Sequence, residues 1–146
     1  MINTPQTNTQ NVLEHGISVA KHFDKLISGD NNNWKLPTWF IDNKELILNN
    51  LHSLEDIKEY HVMHDCGKSY CMTIDEQGKR HFTNHSQVSF DTFSKISDNK
   101  VVADLILKDM VLHTIKSDEV EDFIKNNSIK TVITLLVTAL CELHSN

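Results

Sequence analysis

The chain has 146 residues, of which 39% are apolar, and this length and composition are typical of one compact domain with one hydrophobic core. Its 14 basic residues against 20 acidic ones give a net charge of -6, which argues against extended contact with nucleic-acid phosphates because such contact needs clustered lysine and arginine. The longest apolar stretch, residues 133–141, is far shorter than the ~20 residues that cross a bilayer, and no signal-peptide pattern precedes the cysteines, so we expect a soluble cytoplasmic (intracellular) protein.

The start of the chain predicts a polar leader and then a strong helix. Residues 1–10 are polar and predict a flexible leader, after which residues 11–146 are expected to form a single domain. Apolar side chains recur at helical spacing over residues 12–27, with Asn11 as the N-cap and Gly29 at the C-terminal end.

The next elements are a weaker helix and a capped one. Apolar residues over 40–51 follow a helical pattern after a proline-containing connection. Ser53, followed three residues later by Asp56, resembles a capping box and predicts a helix that ends near His64. A histidine and an aspartate thus fall together at the C-terminal end of a helix.

The rest of the chain predicts one hairpin and four helices. A small β-hairpin insertion is expected near residues 70–83, with Gly78 in its turn. The helices are expected over residues 85–96, 98–113, 118–126 and 129–143, and Asp98, Asp118 and Ser128 are suitable N-caps. The fold class is therefore predicted to be mainly α.

Histidine is the residue type in excess, with nine in the chain where about three are expected. His64 and Asp65 are adjacent, and neighbours on a helix diverge by ~100°, but at a helix end the chain leaves the helical register and both side chains can turn toward one ion. Gly67 permits a sharp exit from the helix. Imidazole and carboxylate are donors that suit Mn, Fe, Co, Ni or Zn.

The string His64-Asp65-Cys66-Gly67-Lys68, with His15 upstream on the first helix, resembles the HD-domain metal-dependent phosphohydrolase superfamily. That family carries a first histidine on an early helix, then a His-Asp pair, then a distant acid on a late helix, all on an all-α core. The resemblance extends from about residue 15 to residue 142 and implies an HD-domain-like helical bundle.

The resemblance implies a role for each matching residue. Asp65 and Lys68 would be the catalytic residues. The Lys68 ammonium would bind the phosphate and neutralise charge on its nonbridging oxygens. Glu142 stands where the family has an aspartate, and its extra methylene lets it ligate from slightly further away. His61, three residues before His64, is a rival ligand or a group that supports a ligand, and it is also a candidate for substrate binding. The implied metal ligands are His15, His64, Asp65, His85, His113 and Glu142.

The function that the resemblance implies is hydrolysis of a nucleotide or a nucleotide-derived phosphate mono- or diester. One or two divalent transition-metal ions would lower the pKa of a water molecule, which would then attack phosphorus. The expected partner is a small phosphorylated substrate. Two alternatives stay open: an enzyme that processes RNA ends such as a 2′,3′-cyclic phosphate, against which the low arginine content stands, and a degenerate HD module that binds a nucleotide or a partner without turnover.

Overall fold

The computed structural model describes residues 1–7, 9–30 and 33–145, which form α-helices and a two-stranded antiparallel sheet. The strands are β1 (Met72–Ile74) and β2 (Arg80–Phe82). The predicted mainly α chain with a small hairpin is confirmed. No helix in these described ranges is both long and apolar enough to cross a bilayer. The helices are α1 (Val12–Ser28), α2 (Thr38–Asp42), α3 (Lys44–Asn49), α4 (Leu54–Met63), α5 (Lys68–Cys71), α6 (His85–Ser94), α7 (Lys100–Lys108), α8 (Val111–Thr114), α9 (Val120–Asn126) and α10 (Ile129–Ser145).

The ends of α1 and α4 follow the local signals in the sequence. The Asn11 side chain accepts a hydrogen bond from the Glu14 backbone, and the Glu14 side chain accepts one from the Asn11 backbone, which is a complete capping box. Gly29 ends α1 in the left-handed region with φ 80°. Ser53 caps α4, and that helix ends at Met63, just before His64, as predicted.

Two predicted helices are interrupted. The helix expected over residues 40–51 is divided at Asn43, whose side chain donates to the Trp39 carbonyl at 2.9 Å, a local bond that competes with helix continuation. The helix expected over residues 98–113 breaks after α7, and Asp109 and Met110 connect α7 to α8. Asp109, the acidic residue at the end of α7, is buried.

Two groups of buried apolar side chains hold the helices together. The first joins α1 and α10 to α2, α3 and α4, and the second joins α4, α6, α7 and α10. The polar site described below lies where α1, α4 and α10 meet. The largest fully buried apolar residues are Tyr60, Phe40, Phe93, Leu26, Ile57, Leu105 and Ile106.

Gly16 allows α1 to approach α4 closely. A Cβ atom at this position would lie 2.7 Å from the carbonyl oxygens of His61 and Val62. The close approach matters for the site because it brings His15 beside His64, with ring centroids 5.4 Å apart.

The variant Gly16→Ala should therefore be destabilised. Alanine is favoured over glycine in an exposed helix by about 1 kcal/mol, but here the added methyl group would push two helix backbones apart, at a cost of about 1–3 kcal/mol. We expect a net loss of unfolding free energy in urea titration, whereas Lys21→Ala, at an exposed position of α1, should change it by less than about 0.5 kcal/mol. A Gly16→Ala protein more stable than the wild type would contradict this account of the contact.

The described part of the predicted flexible leader, residues 1–7, 9 and 10, makes defined contacts with the helical body. Thr4 is buried, and its carbonyl accepts a hydrogen bond from the Val12 backbone at 2.8 Å. Pro5 pairs with Asn11 in an isolated β-bridge. The flexibility of this segment stays a prediction, and its contacts place Gln6 at the wall of the site.

Candidate metal centre

One cavity of about 190 Å³ collects polar side chains from α1, α5, α6, α8 and α10 and from the connection that follows α4. All six residues that the sequence suggested as metal ligands line it, and so does Lys68. Residues from five separate stretches of the chain are thus brought together. The lining residues are Gln6, His15, His64, Asp65, Lys68, His85, Asp109, Met110, His113 and Glu142.

His15, His64 and Glu142 form the tightest group of possible metal ligands. One donor atom from each lies within 4.8 Å of the donor atoms of the other two. His15 and His64 are 3% and 2% exposed, and the Glu142 side chain is 14% exposed. This buried group could hold a metal ion.

The orientation of His64 is fixed by its own helix. Its Nδ1 lies 2.7 Å from the carbonyl oxygen of His61, so Nδ1 carries the proton and donates it. The other ring nitrogen, Nε2, then faces the carboxylates of Asp65 at 3.3 Å and Glu142 at 3.2 Å. A backbone bond to one nitrogen that frees the other is the usual support of a histidine ligand.

The electrostatic field at His64 favours positive charge. Burial opposes a charged imidazole, but the charges of Asp65 and Asp109 and hydrogen bonds to Asp65 and Glu142 outweigh it and raise the pKa of His64 well above its ordinary value. Burial likewise opposes a charged Asp65, but His64 and Lys68 hold the pKa of that carboxyl well below its usual range. A field that attracts a proton to Nε2 also attracts a metal cation.

Two buried atoms in the cavity lack a hydrogen-bond partner within the described part of the chain: Nδ1 of His15 and Oδ1 of Asp65. Buried polar atoms are rarely left in this condition, because losing water without a replacement partner is costly. Burial and the neighbouring charge of His64 lower the pKa of His15, which favours the neutral imidazole that binds metals. The residues present therefore fit a cation.

Glu142 links two imidazoles across the cavity. Its Oε1 lies 3.2 Å from Nε2 of His64, and its Oε2 lies 3.0 Å from Nε2 of His113. Burial would raise its pKa, but the bonds to His113 and His64 hold it well below its usual range, so the group is a carboxylate. The longer side chain of glutamate does not keep it out of the site.

His85 lines the cavity beside Asp65. Its Nε2 is 3.6 Å from Oδ1 of Asp65, beyond hydrogen-bond range, and its Nδ1 is 3.1 Å from the Phe82 carbonyl. Asp65 and His85 thus offer a second pair of donors beside the group of His15, His64 and Glu142.

Lys68 is buried at the same side of the cavity. Its Nζ donates to Oδ2 of Asp65 at 2.8 Å and to Oε1 of Gln6 at 2.9 Å, and it lies 5.1 Å from the centre of the Phe82 ring. An ammonium group has three N–H donors. No other acceptor for the third donor is found among the described residues, so Lys68 can still bind an anion in the cavity.

A substrate-binding role for His61 does not fit the structure. Its side chain is fully buried away from the cavity, with Nε2 2.8 Å from Oγ1 of Thr138 and its ring packed against Phe23 at 5.2 Å. The expectation assumed that His61 and His64 share one environment, but His64 lines the cavity and the His61 side chain does not. The contribution of His61 to the site is its carbonyl group.

Because His61 is buried and neutral, it should reduce stability in acid. Burial lowers its pKa from 6.5 to about 3 in the folded chain. Below about pH 6.5 the unfolded chain takes up a proton that the folded chain excludes. The unfolding free energy therefore decreases by up to about 1.4 kcal/mol for each unit by which the pH is lowered. In His61→Gln, whose amide can still bond Thr138, urea unfolding at about pH 7 and about pH 5 should show a weaker dependence on pH. The same dependence in both proteins would contradict this assignment.

Asp109 is a site residue that the sequence reasoning missed. It is 6% exposed, lines the cavity and accepts a hydrogen bond from the Tyr60 hydroxyl at Oδ1. Burial, together with the acids around it, raises its pKa to about 6. A signal was present, since Asp109 continues the buried stripe of Leu105 and Ile106 at helical spacing, where a charged residue is unusual.

Comparison of the chain with protein-family models, with curated proteins and with solved structures gave no significant match. The resemblance to the HD superfamily therefore depends on the sequence motif alone, and membership stays a prediction. The evidence for a function is therefore the arrangement of residues in the cavity.

Proposed function

We propose that this chain is an HD-type phosphohydrolase that uses one or two divalent transition-metal ions to hydrolyse a phosphate mono- or diester of a nucleotide or nucleotide-derived compound. The observation that carries the proposal is the buried group of His15, His64 and Glu142, whose donor atoms lie within 4.8 Å of one another in a cavity that also contains a buried lysine. A cation site beside a buried ammonium group is suited to an anionic substrate.

The donor types suggest which ions fit. Two imidazoles and one carboxylate favour Mn, Fe, Co, Ni or Zn over Mg or Ca, which prefer oxygen ligands alone. Asp65 and His85 would be the donors for a second ion. When bound, such an ion lowers the pKa of a water molecule toward neutrality and polarises a phosphoryl oxygen.

The groups around these metal ligands would each have a separate role in catalysis. The His61 carbonyl orients His64 through Nδ1 at 2.7 Å, which keeps Nε2 directed into the cavity. Asp65 holds the Lys68 ammonium at 2.8 Å, so that the remaining N–H can neutralise charge on a nonbridging phosphate oxygen. None of these steps needs a nucleophile from the protein.

The compartment is part of the same proposal. All three cysteines, Cys66, Cys71 and Cys141, are free thiols. Free thiols are typical of the reducing cytoplasm, which we propose as the location of this protein.

A module that binds without turnover is the second candidate. The observation in its favour is that both oxygens of Glu142 already contact imidazoles, His64 at 3.2 Å and His113 at 3.0 Å. Such a protein would bind a phosphorylated ligand and release no phosphate.

Metal analysis and a phosphate-release assay on the purified chain test the proposal. We expect at least one bound transition-metal ion per chain and hydrolysis of at least one compound from a panel of p-nitrophenyl phosphate, bis(p-nitrophenyl) phosphate, nucleoside monophosphates and RNA ending in a 2′,3′-cyclic phosphate. His64→Ala should lose both properties. His22→Ala, in which the removed ring stacks on Trp34 at 5.5 Å outside the cavity, should keep both.

The other results are equally decisive. Turnover that survives in His64→Ala would contradict the proposal, and so would turnover without bound metal. Bound metal with no turnover of any panel member would favour the binding module, and turnover restricted to the RNA end would favour RNA-end processing.

A further inference from the structure

Asp109 is a buried acid that uses one carboxylate oxygen in a hydrogen bond and leaves the other unbonded by the described residues. Its Oδ1 accepts a hydrogen bond from Tyr60, while no described residue donates to its Oδ2. The residue is 6% exposed and lines the cavity. A carboxylate oxygen that lines a cavity and accepts no hydrogen bond from the described residues is available as an acceptor for a ligand that enters the cavity.

The ligand group that Asp109 would bind is not the phosphate. Two anions repel each other strongly in a buried site. The cation suited to phosphate is Lys68, which is held by Asp65 and Gln6 through bonds of 2.8 and 2.9 Å. Asp109 must therefore face a group that carries a proton.

The ligand group is also distinct from an ion held by His15, His64 and Glu142. The donor atoms of His15, His64 and Glu142 lie within 4.8 Å of one another, and Asp109 does not belong to that group. Its nearest bonded partner is the Tyr60 hydroxyl, which is itself fully buried and fixes the plane of the carboxylate.

The cavity further limits what can enter with the phosphate. It has a volume of about 190 Å³, and Met110 is the single apolar residue among those that line it. The described lining residues include no phenylalanine, tyrosine or tryptophan on which a nucleobase could stack. The part of the substrate that enters beside the phosphate should be small and polar.

We propose that Oδ2 of Asp109 accepts a hydrogen bond from a hydroxyl group on the alcohol part of the substrate, so that the preferred substrates are hydroxylated phosphate esters such as a polyol phosphate or the ribose end of a nucleotide. Asp109 is then a substrate-binding residue, and Tyr60 is a positioning residue that acts through it. This inference rests on the proposed phosphohydrolase function and specifies its substrate.

Two esters that differ by their hydroxyl groups test the inference: sn-glycerol 3-phosphate and n-propyl phosphate. Their binding is measured by titration calorimetry on the metal-supplied protein, and their hydrolysis by phosphate release. We expect the wild type to prefer the glycerol ester about tenfold or more, as a hydrogen bond to a charged group allows. The pair of 3′-AMP and its 2′-deoxy analogue should show the same direction.

Variants assign the preference to Asp109. Asp109→Ala should bind both esters about equally. Asp109→Asn keeps an acceptor for the Tyr60 hydroxyl and so protects the fold, and it should lose most of the preference. Tyr60→Phe should reduce the preference with less effect on propyl phosphate. The matched control is Asp104→Asn, an exposed acid of α7 paired with Lys108 at 2.6 Å, which should behave as the wild type.

Three results would overturn the inference: equal binding of the two esters by the wild type, a preference that survives both Asp109 variants, or an equal loss for both esters in Asp109→Asn. Failure of the proposed function would look different. A protein that hydrolyses neither ester and no compound of the panel above, but still prefers the glycerol ester through Asp109, would refute the phosphohydrolase and support this inference for a binding module. A protein that binds neither ester would refute the inference.

Discussion

Replacing Asp65 with asparagine should lower kcat/KM for phosphate-ester hydrolysis by about a thousandfold or more. The carboxylate contacts three groups of the site: Nε2 of His64 at 3.3 Å, Nζ of Lys68 at 2.8 Å and, through the unpartnered Oδ1, Nε2 of His85 at 3.6 Å. Asparagine keeps the shape but removes the charge that attracts a cation and holds the lysine. Both metal binding and phosphate binding should therefore suffer.

The hairpin supplies a matched control for this variant. Asp75 also contacts a histidine, His81, at 2.7 Å, but this pair is solvent-exposed and outside the cavity. Asp75→Asn should keep the wild-type kcat/KM and metal content, while Asp65→Asn loses both. A kcat/KM for Asp65→Asn within about tenfold of the wild type would remove Asp65 from the reaction.

Replacing Gly67 with alanine should cost about 3 kcal/mol or more of unfolding free energy and leave little folded protein. A Cβ at this position would lie 2.3 Å from the backbone nitrogen of Ser89 and 2.5 Å from the carbonyl carbon of Val88. The two segments are also bonded, since the Gly67 backbone donates to Oγ of Ser89 at 3.0 Å. The methyl group would separate the connection that carries His64 and Asp65 from α6.

These contacts also change the explanation of why residue 67 is a glycine. Gly67 was expected to supply a sharp exit from α4, but its φ of -83° is accessible to any residue. The glycine is needed for space against α6, not for backbone freedom. Gly78→Ala provides the comparison: at φ 78° it is strained, yet a Cβ there meets nothing within 4 Å, so it should lose only about 1–2 kcal/mol. Equal stability of Gly67→Ala and the wild type in urea unfolding would contradict the packing argument.

The parts of the fold that the sequence predicted well are those set by local chemistry. Asn11 and Ser53 cap their helices through their own side chains, and Gly29 ends α1. The end of α4 beside His64 followed from the same local reasoning. These features need no knowledge of distant residues, because a cap bonds within its own helical turn.

The features of the site that local sequence patterns could not predict depend on tertiary contacts. The place of Gln6 at the cavity is one of them: a backbone bond joins Val12 to Thr4, and the Gln6 side chain accepts a bond from Lys68. Asp109 was read as part of a continuous helix. His61 was given to the site because helical spacing cannot show where a helix ends in relation to a cavity, and its pairing with Thr138 on α10 joins residues far apart in the chain.

Anomalous X-ray scattering from crystals of the wild-type protein grown with Mn, Fe, Co, Ni and Zn tests the central claim most directly. The account predicts an anomalous peak within ligand distance, about 2.0–2.3 Å, of one atom each from His15, His64 and Glu142. Crystals that bind metal only elsewhere on the chain, or none at all, would contradict it.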